Sequence, residues 1–260
     1  MEIAFALVSF PMSNGRWTLV TGASSGIGRS LTLSLLKQGK QVIAVSRSEQ
    51  RLAETVEGFS AGQVKVIPWD LSELDSLSQL AKTVKEKVGP ISGLVHCAGI
   101  QKTLPLSMTK KETLFEIFSI NSFAAMMLVS RFSKKGFFEE NSSFVLVSSV
   151  AAHEGEVGNS LYAASKGAIE GFLPAAASEV ASKGIRLNVV VPGIVNTPMV
   201  ENFFSNLSEG RRKALEETYP LGLGKPAQVV SLIEFLLSEK ADWITGECFR
   251  VDGGHMVRKV

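Results

Sequence analysis

Two residues one helical turn apart, Tyr162 and Lys166 in the segment YAASK, are of types that do proton chemistry together. Positions i and i+4 of a helix share one face. An ammonium beside a phenol favours phenolate and draws the phenol pKa down from its ordinary value of about 10. A phenol that exchanges its proton near neutral pH is an acid or base suited to alcohol/ketone interconversion. Ser149 ends the β-branched run FVLVSS, thirteen residues before Tyr162. Its hydroxyl is placed to hydrogen-bond a substrate oxygen as charge develops there. No G-x-S-x-G elbow surrounds Ser149, so it is not read as a hydrolase nucleophile. Alone, a YxxxK pair reads as a surface pair on a helix. Ser149, Asn121 and a glycine loop give it weight as one part of a multi-part site.

That loop is Thr21-Gly22-Ala23-Ser24-Ser25-Gly26-Ile27-Gly28, between the apolar run WTLV and an amphipathic stretch. Glycines there serve a tight turn, close approach of backbone to a pyrophosphate, and close helix packing. The helix after it offers free N–H groups and the positive end of its dipole. In this context the loop points to a dinucleotide. The second run ends Ala44-Val45-Ser46-Arg47-Ser48, without Asp or Glu until Glu49. An acidic residue there would hold a ribose diol and favour NAD. Arg47, 19 residues beyond Gly28, instead suits a 2′-phosphate through its charge and paired donors. Ser46 and Ser24 add hydroxyls. NADP(H) is the expected cofactor, with NAD(H) the alternative.

Seven short apolar runs must position these residues: Trp17–Val20, Gln41–Val45, Val64–Ile67, Gly93–His96, Phe144–Val147, Arg186–Val191 and Cys248–Val251. They are apolar on both faces, as parallel strands covered by helices are. Helical stretches such as Gly26–Lys37, Glu73–Lys87 and Lys110–Phe132 alternate with them. This predicts an α/β fold: one Rossmann-type, doubly wound, parallel seven-stranded sheet with helices on both faces. No linker divides the chain, so residues 16–260 are expected to form a single domain. Ligands in such sheets sit beyond the carboxyl ends of the strands. Asp70 is also a good helix N-cap candidate before 72–87. Residues 199–219, with a helical centre at Ser208–Thr218, are placed as a lid over substrate. His153, Met199 and Phe203 are the expected substrate neighbours.

The spacing Gly-x-x-x-Gly-x-Gly, Ser149 and the Tyr162/Lys166 pair resemble the short-chain dehydrogenase/reductase family, from about Trp17 to Gly254. The resemblance implies a role for Asn121, in SINSF, in positioning a water that links Lys166 to solvent. Lys166 would also grip the nicotinamide ribose. Asp70-Leu71 matches the pair that holds the adenine. His96-Cys97-Ala98-Gly99 matches the family's Asn-Asn-Ala-Gly only in Ala98 and Gly99. Pro192-Gly193-Ile194 and Thr197 match a cofactor loop in which Ile194 would bind the nicotinamide carboxamide through its backbone. The implied activity is NADPH-dependent reduction of a ketone or aldehyde, with the 3-oxoacyl-thioester reductase branch as the nearest pattern. A secondary-alcohol, sugar or steroid dehydrogenase and a non-catalytic cofactor-binding regulator remain alternatives. An enoyl reductase is disfavoured because its tyrosine and lysine are usually spaced more widely. Family members commonly form tetramers, so a homo-oligomer (dimer or tetramer) is expected. Pro174, inside the helix that carries Tyr162, removes a hydrogen bond to Glu170 and puts the usual subunit geometry in doubt.

Charge and composition narrow the partners. The 260 residues hold 27 Lys and Arg against 25 Asp and Glu, a net +2, which gives no electrostatic case for nucleic acid. Two cysteines make no disulfide framework, and a reduced cytoplasmic chain is the simpler expectation. His96 stands at no metal-ligand spacing from another donor, so no metal is expected. No apolar run reaches membrane-spanning length, and no membrane partner is expected. Ile3–Phe10 is apolar, but Glu2 precedes it without Lys or Arg and no cleavage site comes after it. Residues 1–15 are therefore read as an N-terminal extension, with Met12 a possible true start.

Overall fold

The computed structural model describes residues 16–257, so the N-terminal extension lies outside the described residues. Seven parallel strands form one sheet in the order β3-β2-β1-β4-β5-β6-β7. They are β1 Trp17–Thr21, β2 Gln41–Ser46, β3 Val64–Pro68, β4 Ile91–His96, β5 Phe138–Val147, β6 Ile185–Pro192 and β7 Cys248–Val251. All seven expected strands are present. The fifth starts earlier than its apolar run, because polar residues 139–143 continue the strand below the core.

Alternation of side chains across the pleat builds two cores from one sheet. Paired residues Ile43, Leu19, Leu94, Phe144 and Leu187 make one buried row across five strands. That face is covered by α3 (Leu77–Val88), α5 (Ala124–Phe132) and α6 (Ser160–Ala181). Val20, Ala44, Val95, Val145 and Val190 face the other way, against α1 (Gly26–Lys37), α2 (Glu49–Val56) and α9 (Pro226–Leu237). The chain order reverses between β1 and β4, which opens a crevice at their carboxyl ends.

Three local departures from the sequence pattern bear on the site. The helix expected from residue 73 begins at Leu77, after a short 3₁₀ turn, and Asp70 does not cap it. The Asp70 carboxylate instead accepts from the Ser72 N–H and hydroxyl at 2.9 and 2.7 Å. The long helical run of residues 111–132 contains a widened π turn, Ser119–Phe123, between α4 (Lys111–Phe118) and α5. Its 22 residues match a membrane span in length and mean hydropathy, 1.5. Yet Ile117, Leu128 and Phe132 are fully buried within this fold. Helix α6 continues across Pro174, whose ring lies on the exposed side, where water can meet the unpaired Glu170 carbonyl. Two short helices, α7 (Pro198–Phe204) and α8 (Glu209–Glu216), form the segment expected as a lid.

Candidate active site

The strand ends open into a cleft of about 400 Å³. Its floor at one end is the glycine loop. Gly22 has φ +66°, the left-handed region that favours glycine, and a Cβ there would lie 2.9 Å from the Ala98 nitrogen. A Cβ on Gly28 would collide with the carbonyl oxygen of Gly22. Gly28 therefore lies buried behind the cleft, as a packing residue. Ser24, Ser25, Gly26 and Ile27 line the cleft wall. Helix α1 starts here with Ser25 at its N-cap, no side-chain cap bond and no acidic residue in the first turn. Its first N–H groups and its dipole thus face the cleft unopposed, an arrangement that fits a pyrophosphate.

Beyond the loop lie Ser46, Arg47 and Arg51, the last unforeseen in the sequence. The Ser46 hydroxyl is buried without a partner among the described residues, a donor awaiting an acceptor. Asp70 and Leu71 line the same end of the cleft. Burial raises the Asp70 carboxyl, but its bonds to Ser72, with Arg47 nearby, outweigh this and hold it below its ordinary range. These residues fit a nucleotide with a phosphate at this end.

At the far end Tyr162 and Lys166 come together with Ser149, as the sequence predicts. Ser149 Oγ accepts from the Ala151 N–H at 3.2 Å, which leaves its own O–H to donate. Tyr162 is 8% exposed. Burial raises its phenol above the ordinary range, and the hydrogen bond from Ser149 only partly offsets this. The expected lowering by Lys166 is not found. Lys166 Nζ lies 5.8 Å from the phenol ring centroid and donates instead to the Val147 carbonyl at 2.8 Å. Lys166 itself is depressed to about 8, because burial penalises its charge more than the nearby Cys97 favours it. Spacing alone put the two side chains on one face; burial of both decides which way each pKa moves.

Asn121 sits in the π turn and is fully buried. Its side chain accepts from the Ile100 N–H at 2.8 Å and donates to the Ile100 carbonyl at 3.0 Å and Ser165 Oγ at 2.9 Å. A Cβ on Gly99 would stand 3.2 Å from Asn121 Oδ1 and 3.4 Å from Lys166 Nζ. Glycine therefore keeps open the space between these two groups. His96 is held by Thr21 Oγ1 at Nδ1 (3.0 Å) and by the Ile120 carbonyl at Nε2 (3.1 Å). Thr21 Oγ1 accepts the Ala98 N–H at 3.3 Å. Burial, reinforced by Lys166, depresses His96 to about 3. The ring is thus neutral and ties β1 and β4 to the π turn. Cys97 is pushed up to about 12 by burial, so its thiol stays protonated.

Two sequence expectations are corrected here. Ile194 has no open backbone group: its N–H donates to the Tyr219 hydroxyl at 3.1 Å and its carbonyl accepts the Gly224 N–H at 2.9 Å. Val195 bridges Gly224 through its neighbours, so its own N–H and C=O turn the other way. Neither has a partner among the described residues, and Val195 lines the cleft. His153 is not a wall of the cleft. It turns to Glu170, Nε2 to Oε2 2.8 Å, and Glu170 also accepts from Ser148 Oγ at 2.6 Å. Thr197 caps α7 and lies beside Gly26. Met199 and Phe203 line the cleft as expected, and Glu154, Glu156, Gln101 and Asn159 join them.

The comparisons with known proteins agree with this geometry. A family model described as Enoyl-(Acyl carrier protein) reductase matches residues 22–256. The 3-oxoacyl-[acyl-carrier-protein] reductase FabG of Thermotoga maritima is 33% identical over 246 residues, 94% of this chain and 98% of that protein. The chain belongs to the short-chain dehydrogenase/reductase family. A glucose/ribitol dehydrogenase of this family from Brucella melitensis superposes with a TM-score of 0.85 at 30% identity, covering 92% of this chain and 96% of that one. A target assigned as an NAD(P) dependent gluconate 5-dehydrogenase from Beutenbergia cavernae, with bound NADP at low occupancy, gives 0.83 at 27% identity. That match covers 94% of this chain and 98% of the other. The chain is thus an oxidoreductase of a family that acts on CH–OH and C=O groups with a nicotinamide cofactor.

Proposed function

We propose that the protein is an NADPH-dependent reductase of ketones or aldehydes. The observation that carries this reading is the grouping of Ser149, Tyr162 and Lys166 at one end of a cleft whose other end is built for a dinucleotide phosphate. Ser46, Arg47 and Arg51 would hold a 2′-phosphate, and Gly22 to Ile27 with the α1 N-terminus the pyrophosphate. Asp70 and Leu71 would take the adenosine, and Lys166 the nicotinamide ribose. Pro192, Gly193 and Thr197 would shape the nicotinamide end, and the open backbone groups of Val195 take the carboxamide role that the resemblance gives to Ile194. When bound, the cofactor supplies the hydride.

The chain's own residues supply the proton. Tyr162 is kept protonated by burial and is the donor to the carbonyl oxygen as it becomes an alkoxide. Ser149 offers its hydroxyl to the same oxygen. Lys166, poised near pH 8, is the group that returns a proton to Tyr162. The space kept by Gly99 between Asn121 and Lys166 is the route to solvent.

The FabG relative makes 3-oxoacyl thioesters the first substrates to try. The four-residue Tyr162–Lys166 spacing favours a carbonyl substrate over the enoyl chemistry named by the family model. A cytoplasmic homo-oligomer is part of the same proposal. Exposed Leu106, Met108 and Phe115 near α4, and Leu221 and Trp243 toward β7, supply apolar surface for subunit contacts.

The test is NADPH consumption against acetoacetyl thioesters, diketones, keto-sugars and steroid ketones, with wild type and Tyr162→Phe side by side. The substitution should lower kcat/KM by about 10²- to 10⁴-fold, the usual contribution of a positioned acid. NADPH should bind both proteins equally well. Turnover unchanged in Tyr162→Phe would refute the donor assignment.

A further inference from the structure

The charged residues of the cleft are sorted by end. Its cations are Arg47 and Arg51 beside the glycine loop and Lys166 at the reacting centre. Its acids, apart from Asp70, are Glu154 and Glu156, in the loop between Ser149 and Tyr162. Each glutamate has a basic neighbour outside the cleft lining. Glu154 Oε1 lies 2.5 Å from His255 Nε2, out of line for a hydrogen bond, and is buried without a hydrogen-bond partner among the described residues, while Glu156 accepts two bonds from Arg211 Nη2, at 3.0 and 3.1 Å. Neither is sealed away: their side chains keep 21% and 18% of their exposure. A carboxylate oxygen accepts more than one hydrogen bond, so both retain acceptor capacity toward the cleft.

A second polar pair stands on the same wall. Gln101 Nε2 donates to Asn159 Oδ1 at 3.1 Å. Asn159 is 6% exposed and lines the cleft; with its Oδ1 occupied by Gln101, its side-chain amide is the donor it can offer a ligand. Acceptors and donors therefore converge where a substrate would lie, and on this wall the lining charges are the two carboxylates, with Lys166 held back at the Val147 carbonyl.

Building on the carbonyl-reductase reading, we propose that this wall selects uncharged carbonyl compounds that carry hydroxyl groups close to the reacting carbon. Glu154 and Glu156 accept from the hydroxyls, Asn159 donates to one, and the two carboxylates repel a carboxylate-bearing substrate. A site built to hydrogen-bond a hydroxyl discriminates strongly against the analogue that lacks it, because its polar groups are then left unpaired.

Three ketones on one four-carbon skeleton test this: erythrulose, butan-2-one and acetoacetate. Wild type with NADPH should show kcat/KM at least about tenfold higher for erythrulose than for butan-2-one, about one hydrogen bond to a charged group. Acetoacetate should be the poorest. Glu154→Gln and Glu156→Gln keep shape and remove charge, and should raise acetoacetate relative to erythrulose by about tenfold. Calorimetry on Tyr162→Phe loaded with NADP⁺ should show erythrulose binding and none by butan-2-one. A preference for butan-2-one or acetoacetate overturns the proposal, as does an equal loss for all three ketones in the Gln variants. Reduction of acetoacetyl thioesters with erythrulose inert overturns it too, while leaving the reductase standing. No NADPH oxidation with any of these compounds takes down the reductase reading and this proposal together.

Discussion

Replacing Lys166 by Met removes a buried ammonium with little change in length, and the consequence depends on pH. In the folded apo-protein Lys166 titrates near 8, against 10.5 for an unhindered lysine. Below about pH 8 it is charged in both states, and the folded state bears the full cost of burying the charge. Between about 8 and 10.5 the unfolded chain holds the proton and the folded chain has released it. Stability rises with pH wherever the unfolded state binds more protons, so wild type gains as this window is crossed. From about pH 7.5 to 9.5 the shift corresponds to a gain of about 2 kcal/mol. Lys166→Met lacks this gain. It also leaves the Val147 carbonyl without its 2.8 Å donor, but that cost is the same at both pH values and drops out of the comparison. Urea unfolding of both apo-proteins at the two pH values gives the four midpoints required. Wild type should gain about 2 kcal/mol on the variant. A stability difference that stays constant, or moves the other way, would refute the claim that burial governs Lys166.

The cofactor end yields further expected outcomes. Arg47→Asp should turn the preference from NADPH toward NADH, read as the ratio of the two dissociation constants by fluorescence titration. An unchanged ratio removes Arg47 from the phosphate site. Gly28→Ala places a methyl against the Gly22 carbonyl, and since both atoms belong to backbone the loop must shift. Cofactor affinity should fall at least about tenfold, a displacement worth about 1.4 kcal/mol, while circular dichroism of the sheet is retained.

Much of the fold was legible because a doubly covered parallel sheet writes itself as short β-branched runs, such as QVIAV and NVVV, spaced by amphipathic stretches. The grouping of Ser149, Tyr162 and Lys166 in one cleft was legible because it follows from residue type and chain spacing. Orientation was not. Ile194 and Val195 are neighbours of similar character, and only the bridge to Gly224 shows whose backbone faces the cleft. His153 sits four residues from Ser149, yet Glu170, seventeen residues further on, decides where its ring points. The direction of the Tyr162 shift needed its burial, which a helical spacing does not encode. Glu156 and Arg211, 55 residues apart, meet only because α8 packs against the loop that carries Glu156.

The π turn at Ser119–Phe123 gives the site a vulnerability of an unusual kind. Such a turn holds one residue more per loop of helix than the α ladder on either side. Deleting a single residue there would restore regular bonding and leave α4 and α5 nearly in phase, because the wider turn already absorbs the extra residue; only the residues of the turn itself would be redirected. Asn121 would leave Ile100 and Ser165, and the Ile120 carbonyl would leave His96, without Ser149, Tyr162 or Lys166 being replaced. A scan of substitutions along this helix samples residue identity and is blind to residue number. One-residue deletions and insertions are the changes that would locate the element, and in this chain they would act in the middle of a buried helix rather than in a loop.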